Sequence, residues 1–318
     1  MKTGIVILNY NSVEDTKNCI DSVLKYNTAD VKFVVVDNGS PNPEVVPQIE
    51  HYLRGTFKED LVIATEKDSV PTCLPTMTYY ISSTNTGYAD GNNKGLKLLY
   101  ADKGIKYILI LNSDILFIED IIPSLISALN ENKDAAIVSP LLYKKDKAGI
   151  DYNCARTDTN IDDLIARYRY SFFGMWNKLV KLQDKRKLLI SNPSLLNEKY
   201  LPIELPSGSC MLVQKDYFRE IGGFDSNTFL YFEENILWAK VKKTGKVNYL
   251  CSQLSCIHLG ASSTKKVKGS YKKDVMHNKS VRYYVEKYVE CPSWKKWIFY
   301  TYRILFLIRQ RIYYLVKR

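Results

Sequence analysis

Three clusters of short polar side chains each stand directly after an apolar run: Asn9-Tyr10-Asn11, Asp37-Asn38-Gly39-Ser40 and Asn112-Ser113-Asp114. A fourth cluster, holding Asn85, Gly87, Gly91 and Asn92, precedes a leucine-rich helical pattern. These residue types suit phosphate and nucleoside chemistry. Glycines let backbone N–H groups approach an anion, and a helix N-terminus favours negative charge. A carboxylate such as Asp37 suits a ribose hydroxyl or a base N–H. The Asp114 carboxylate either meets a cation or a phosphate, or closes an ordinary strand as an Asx turn.

The elements that must position these clusters are strands of a buried parallel sheet. Thr3–Leu8, Val31–Val36 and Tyr107–Leu111 are short, continuously apolar runs, the pattern of strands covered on both faces. A helix through Cys19, Ile20, Val23 and Leu24, with Ser12 as its N-cap, joins the first two into a right-handed βαβ unit. Parallel strands bring their polar ends to one edge, which is where open α/β sheets bind ligands. The pattern further predicts a short helix from Glu44, an irregular stretch over 61–78, a strand over Tyr79–Ser83, a glycine- and asparagine-rich loop over 85–93, and strands over Ala135–Ser139 and Lys246–Leu250. The stretch 143–200 is rich in Lys, Arg, Tyr and Asn and carries one amphipathic pattern through Leu164, Ile165, Tyr168 and Phe172. No GxGxxG follows the first strand and no GxxxxGK(S/T) loop is present, which excludes the usual dinucleotide and P-loop sites.

Composition narrows the class. From Thr264 to Arg318 there are 15 basic and 3 acidic residues, whereas the first 263 residues hold 30 and 31. The net charge of +11 therefore belongs to the tail. A basic, aromatic tail on a near-neutral body argues against a nucleic-acid-binding body and for contact with an anionic membrane. Trp294, Trp297, Phe299, Tyr300 and Phe306 alternate there with Lys295, Lys296, Arg303 and Arg309, which suits either a helix in a membrane interface or one packed on the body. No run reaches the ~18 apolar residues of a membrane span. Seven scattered cysteines without CxxC spacing and no signal-like N-terminus predict free thiols in a reducing cytoplasm.

In order, NYNS, VVVDNGS, NxGxxxGNNxG, LILNSD, PSGSCMLV, IGGFD, FLYFEEN and a late HxxxS occur along the chain. This series resembles the inverting family 2 glycosyltransferases, above all bacterial polysaccharide transferases of the rhamnosyl and capsule type. The resemblance spans about Thr3 to Ser263, apart from 65–78 and 143–200. It implies a GT-A fold: an α/β, Rossmann-like, mostly parallel sheet flanked by helices, here with a helical insertion and C-terminal helices. It implies a UDP- or dTDP-sugar donor, a saccharide or lipid-linked oligosaccharide acceptor, and a divalent cation, Mn²⁺ or Mg²⁺.

Carried over by position, Asn9, Tyr10, Asp37 and Asn38 would serve the nucleoside, and Asn85, Gly87 and Asn92 the diphosphate. Asn112-Ser113-Asp114 would be the family's DxD with Asn in first place, leaving Asp114 as the one charged ligand. His258 either completes the metal site or is a structural histidine. Transfer needs a base for the acceptor hydroxyl. Glu234 is expected in that role, with Glu233 as the alternative; both also suit the first turn of a helix. Ile236 replaces an acid found in many relatives. On this reading residues 1–263 are the catalytic domain, 143–205 an acceptor-side insertion and 264–318 a peripheral membrane contact at the inner face of the cell membrane. A nucleotidyltransferase would need a basic glycine-rich loop where NYNS stands. A catalytically degenerate scaffold of a polysaccharide assembly complex draws its support from Asn112 and Ile236.

Overall fold

The computed structural model describes residues 2–260 and 271–316. The chain runs β1 (Lys2–Asn9), α1 (Val13–Tyr26), β2 (Val31–Asp37), α2 (Val45–Phe57), β3 (Leu61–Thr65), β4 (Met77–Ile81), α3 (Gly87–Ala101), β5 (Ile105–Asn112), β6 (Ile115–Phe117), α4 (Ile122–Glu131) and β7 (Ala135–Lys144). The insertion follows as β8 (Ala155–Arg156), α5 (Ile161–Phe172), α6 (Trp176–Lys185), α7 (Leu188–Ser191), β9 (Tyr200–Ile203) and β10 (Leu205–Pro206). Then come β11 (Cys210–Gln214), α8 (Lys215–Glu220), α9 (Glu233–Lys243), β12 (Val247–His258), α10 (Tyr271–Lys287) and α11 (Ser293–Val316).

One sheet runs β3-β4-β2-β1-β5-β11-β7-β12-β6, with β9 also paired to β12. Pairing is parallel from β3 to β5 and between β7 and β12; β11 is antiparallel to both β5 and β7. The continuous apolar runs are explained by two covered faces. Ile5, Ile7, Phe33, Val35, Leu109 and Leu111 pack against Cys19, Ile20, Ile49 and Leu53 of α1 and α2. Their neighbours Val6, Val34, Val36, Ile108 and Ile110 pack against Leu96, Leu99 and Phe218 of α3 and α8. Register aligns the strand ends: Asn9 pairs with Asp37 and Leu8 with Asn112, so the three polar clusters do share one edge.

Several expectations are corrected. The helix expected to be short is α2, of 13 residues. Leu61–Thr65 is a strand at the sheet edge. Gly87 to Asn93 is not loop but the first two turns of α3. Gly91 is there for proximity: a Cβ would lie 2.7 Å from Leu8 Cδ1, so α3 packs hard against β1. β7 runs on through Pro140, opposite a register shift in β12 between Cys251 and Ser255, where a missing N–H is tolerated. β12 likewise extends to His258. Among the described residues, no helix is long and apolar enough to cross a membrane.

The C-terminal helices pack on the body. Val281, Tyr284 and Val285 of α10 and Phe299 of α11 join Ile161, Leu164 and Tyr168 of α5, Ile236 of α9 and Phe232 just before it in one buried cluster. Ile236 thus faces this cluster, 1% exposed, which gives an apolar residue at that position a packing role.

Candidate active site

Two cavities open at the polar edge and share Tyr88, Asn112, Leu230 and Tyr231 as walls. The first, about 370 Å³, is lined by Tyr10, Asn38, Asn85, Gly87, Ser113 and Asp114. The second, about 310 Å³, is lined by Gly208, Ser209, Glu233, Glu234 and Asn235, with Arg156, Arg167 and Arg186 from the insertion.

Local chemistry shapes the first cavity. Asn38 Nδ2 donates to Asn85 Oδ1 (3.1 Å) and to the Gly87 carbonyl (2.9 Å), tying the end of β2 to the start of α3. Gly87 has φ +89°, and Tyr88 N donates to the Phe229 carbonyl at 2.9 Å. Behind this wall, Asn9 Nδ2 donates to Asp37 Oδ2 (2.8 Å), and Asp37 also accepts from Ser40 N (2.9 Å) and Ser40 Oγ (2.6 Å). Asn9 and Asp37 are buried and do not line the cavity. Asn92 is fully buried, donates to the Tyr88 carbonyl and does not line it either. In this conformation these three residues brace the lining rather than form it.

Asp114 ends the turn after β5. Its carboxylate lies 3.3 Å from His258 Nε2, and His258 Nδ1 lies 2.8 Å from Asp151 Oδ2. Burial would lower the His258 pKa, but bonds to the two carboxylates override it and raise it to about 10. Once a cation displaces the imidazolium proton, the Asp114 carboxylate and the imidazole side by side, with a second carboxylate fixing the ring from behind, make a donor set that suits a divalent cation. Among the described residues, no three His, Cys, Asp or Glu side chains gather to hold one by themselves. The serine of the HxxxS pattern, Ser262, lies outside the described residues.

In the second cavity, Glu234 Oε1 accepts from Gly208 N (3.3 Å) and lies 3.4 Å from Arg156 Nη2. Glu233 is 7% exposed and its Oε1 has no hydrogen-bond partner among the described residues. Burial, then the neighbouring Glu234 charge, pushes the Glu233 carboxyl up to about 8. Both glutamates are aimed by an unusual turn: Tyr231 (φ 77°) and Phe232 (φ 72°) are consecutive non-glycine residues in the left-handed region. Such backbone costs roughly 1–3 kcal/mol per residue and persists only where packing enforces it. Here Phe232 packs on Tyr284, and Ser280 Oγ donates to the Leu230 carbonyl at 2.7 Å.

Sequence reasoning missed Tyr88, Tyr231, the three arginines and Asp151. Tyr88 sits inside the recognised NxGxxxGNN stretch, where its position beside Gly87 was a usable signal. Asp151 and the arginines lie in the insertion, where no pattern pointed to them.

Likeness to known proteins follows this layout. A low-salt glycan biosynthesis hexosyltransferase of Haloferax volcanii is 24% identical over 256 residues, covering 80% of this chain and 66% of that one. An N-acetylglucosaminyl-diphospho-decaprenol L-rhamnosyltransferase of Mycobacterium tuberculosis is 26% identical over 198 residues, 58% of this chain and 59% of that one. This chain therefore spans about two thirds or less of the curated relatives it matches. A crystal structure of GalNAc-T7 with UDP, GalNAc and Mn²⁺ superposes with a TM-score of 0.60 at 11% identity, covering 89% of this chain and 47% of that one, and shows a shared GT-A fold. The model of glycosyl transferase family 2 matches residues 4–222, well over half of the sequence, and the chain belongs to that family.

Proposed function

We propose that this chain transfers a sugar, with inversion, from a UDP- or dTDP-sugar to a saccharide or lipid-linked saccharide acceptor in the synthesis of a surface polysaccharide. The observation that carries this is the junction of the two cavities at Asn112, with Asp114 on one side and Glu234 on the other. The curated relatives, a hexosyltransferase and a rhamnosyltransferase by name, support the reaction class.

The nucleotide is assigned to the first cavity. Tyr10 and Asn38 line the nucleoside end, while Asn85 and Gly87 stand at the N-terminus of α3, whose positive dipole end favours the diphosphate although the Gly87 and Tyr88 N–H groups are held by Asn85 Oδ1 and the Phe229 carbonyl. Asn9, Asp37 and Asn92 hold this wall in place. Asp114 and His258 are the residues that would hold Mn²⁺ or Mg²⁺, and Asp151 would fix the imidazole. A cation held there would supply neutralisation of the charge on the leaving diphosphate.

The acceptor is assigned to the second cavity. Glu234 is reachable from it and takes the proton of the attacking hydroxyl; a single displacement on the face opposite the leaving group inverts the anomeric carbon. Glu233 is less suited, because burial holds it protonated through neutral pH. Most of the residues with assigned roles lie in the body to residue 263, with Lys273, Met276 and His277 of α10 also lining the two cavities, and the exposed face of α11 contacts the inner face of the membrane, where a lipid-linked acceptor is presented.

Calorimetric titration of the purified chain with UDP and dTDP, with and without Mn²⁺, tests the reading. One nucleotide should bind, more tightly with Mn²⁺, and Asp114→Ala should remove the metal-dependent gain. If neither nucleotide binds, the assignment is wrong.

A further inference from the structure

Phe173, Gly174 and Met175 join α5 to α6 in a tight turn, closed by Met175 N donating to the Tyr170 carbonyl at 2.8 Å. Turns that face water favour Gly, Pro, Asn, Asp and Ser. This one carries large apolar side chains instead. Phe173, Met175, Trp176 and, one turn further along α6, Val180 are 40–58% exposed. An exposed group of this kind marks a surface that something covers. The turn lies beside α11. Arg309 Nη1 donates to the Ser171 carbonyl, and the Arg309 guanidinium stands 5.8 Å from the centre of the Trp176 ring. Trp176 and Gln310 line one cavity between the two helices. Ile308 and Ile312, within a turn of Arg309 on α11, are exposed as well.

Charge decides what covers this surface. From Phe173 to Lys187 there are five basic residues, Lys178, Lys181, Lys185, Arg186 and Lys187, and one acid, Asp184, which lies 3.1 Å from Lys187 Nζ. Lys178, Lys181 and Lys185 are exposed. From Ser293 to Arg318 there are seven Lys or Arg and no Asp or Glu. A second copy seated on this patch by two-fold symmetry would set the same positive rim against itself, and like charges across an interface are costly. An anionic lipid surface has no such conflict. Apolar side chains enter below the headgroups while lysine stems reach back to the phosphates. We propose that the α5–α6 turn, Phe173 to Trp176 with Val180, inserts into an anionic membrane surface beside α11. The chain then meets lipid through the insertion and not through its C-terminal helix alone. Arg167 of α5 and Arg186 at the end of α6 line the second cavity, so the helices that reach the lipid also wall the site of Glu234. The proposal extends the membrane reading of α11 to a second element, and the two are tested apart.

Flotation of the full chain with phosphatidylglycerol vesicles is compared for the parent, for Phe173→Ser with Val180→Ser, and for Trp297→Ser with Ile308→Ser. The insertion variant should bind at least about tenfold more weakly than the parent, since two large apolar side chains no longer leave water. Its melting temperature should hold, because both side chains are exposed. Tryptophan emission reads position separately. With Trp294→Phe and Trp297→Phe, the remaining tryptophans are Trp176 and the buried Trp238. Phosphatidylglycerol vesicles containing brominated phosphatidylcholine should quench this emission, and adding Trp176→Phe should remove the quenching. The proposal fails if the insertion variant floats like the parent, or if the brominated lipid leaves Trp176 unquenched. Loss of flotation in the α11 variant would then leave the α11 reading standing alone. A parent that does not float removes both readings. Self-association of the parent without lipid, lost in the insertion variant, would make the patch a contact between copies and would also overturn the proposal.

Discussion

Glu233 and Glu234 are adjacent in sequence and opposite in environment: Glu233 is 7% exposed with an unpartnered Oε1, while Glu234 turns its Oε1 to Gly208 N and to Arg156. The first prediction concerns the buried one. Its folded-state pKa of about 8 lies above the ordinary 4.5, so between these values the folded chain holds a proton that the unfolded chain has lost. Stability contributed by the neutral carboxyl is complete below pH 4.5 and falls as pH rises to about 8. Glu233→Gln keeps the shape and removes the titration. Its stability relative to the parent should rise by roughly 2–4 kcal/mol from pH 5 to pH 8. Thermal or urea unfolding of both proteins at the two pH values measures this; parallel pH profiles would refute it.

The more accessible Glu234 carries the second prediction. Glu234→Gln should cut sugar transfer by about 10²- to 10⁴-fold, the usual worth of a general base, with nucleotide affinity unchanged. Glu233→Gln should keep most of the rate. Initial rates and nucleotide titrations on both variants decide between them, and the reverse order of losses would move the base to Glu233.

The third prediction separates two glycines of one helix. Gly87 has φ +89°, and a Cβ there would meet the Phe229 carbonyl oxygen at 2.2 Å. That oxygen is backbone and is bonded to Tyr88 N, so it cannot easily yield. Gly87→Ala should cost about 2–4 kcal/mol through strain and overpacking and should weaken nucleotide binding. Gly91→Ala gains about 1 kcal/mol of helix propensity, which offsets part of its clash with the end of Leu8 at 2.7 Å and with the hydrogen-bonded Asn38 amide at 2.9 Å, so it should cost less than Gly87→Ala. Melting temperatures of the two variants check the contrast.

The sheet and its edge were legible because their causes are local. A continuous run such as Tyr107–Leu111 says that both faces are covered, and parallel pairing then brings Asn9, Asp37 and Asn112 together without further information. What stayed hidden has tertiary causes. Gly91 and Asn92 read as loop residues because glycine and asparagine disfavour helices; packing against β1 overrides that preference. Ile236 read as a missing acid until the C-terminal helices were seen to cover it. Asp151 meets His258 from 107 residues away, and the arginines converge from separate elements of the insertion. Such convergence has no period in the sequence.

The fourth prediction concerns α11. Its described residues include one fully buried side chain, Phe299, while Trp297, Ile304, Ile308, Ile312 and Leu315 are 49–70% exposed. Steps of seven, four, four and three residues keep these five on one helix face, with Trp294 (60% exposed) beside them. Packing on the body and contact with a membrane are therefore compatible, since they use different faces. Lys317 and Arg318 lie outside the described residues. The chain should float with phosphatidylglycerol vesicles more than with phosphatidylcholine vesicles, and less as salt rises, because basic residues near an anionic surface are screened within a Debye length. Trp297→Ser with Ile308→Ser should weaken binding by at least about tenfold, since each buried large apolar side chain is worth about 1.5–3 kcal/mol. Serine replacements on this outer face leave the Phe299 contacts intact, so the melting temperature should hold. Equal flotation of parent and variant would mean that the exposed stripe does not meet the membrane, and that the basic residues alone, or none of the tail, hold the chain there.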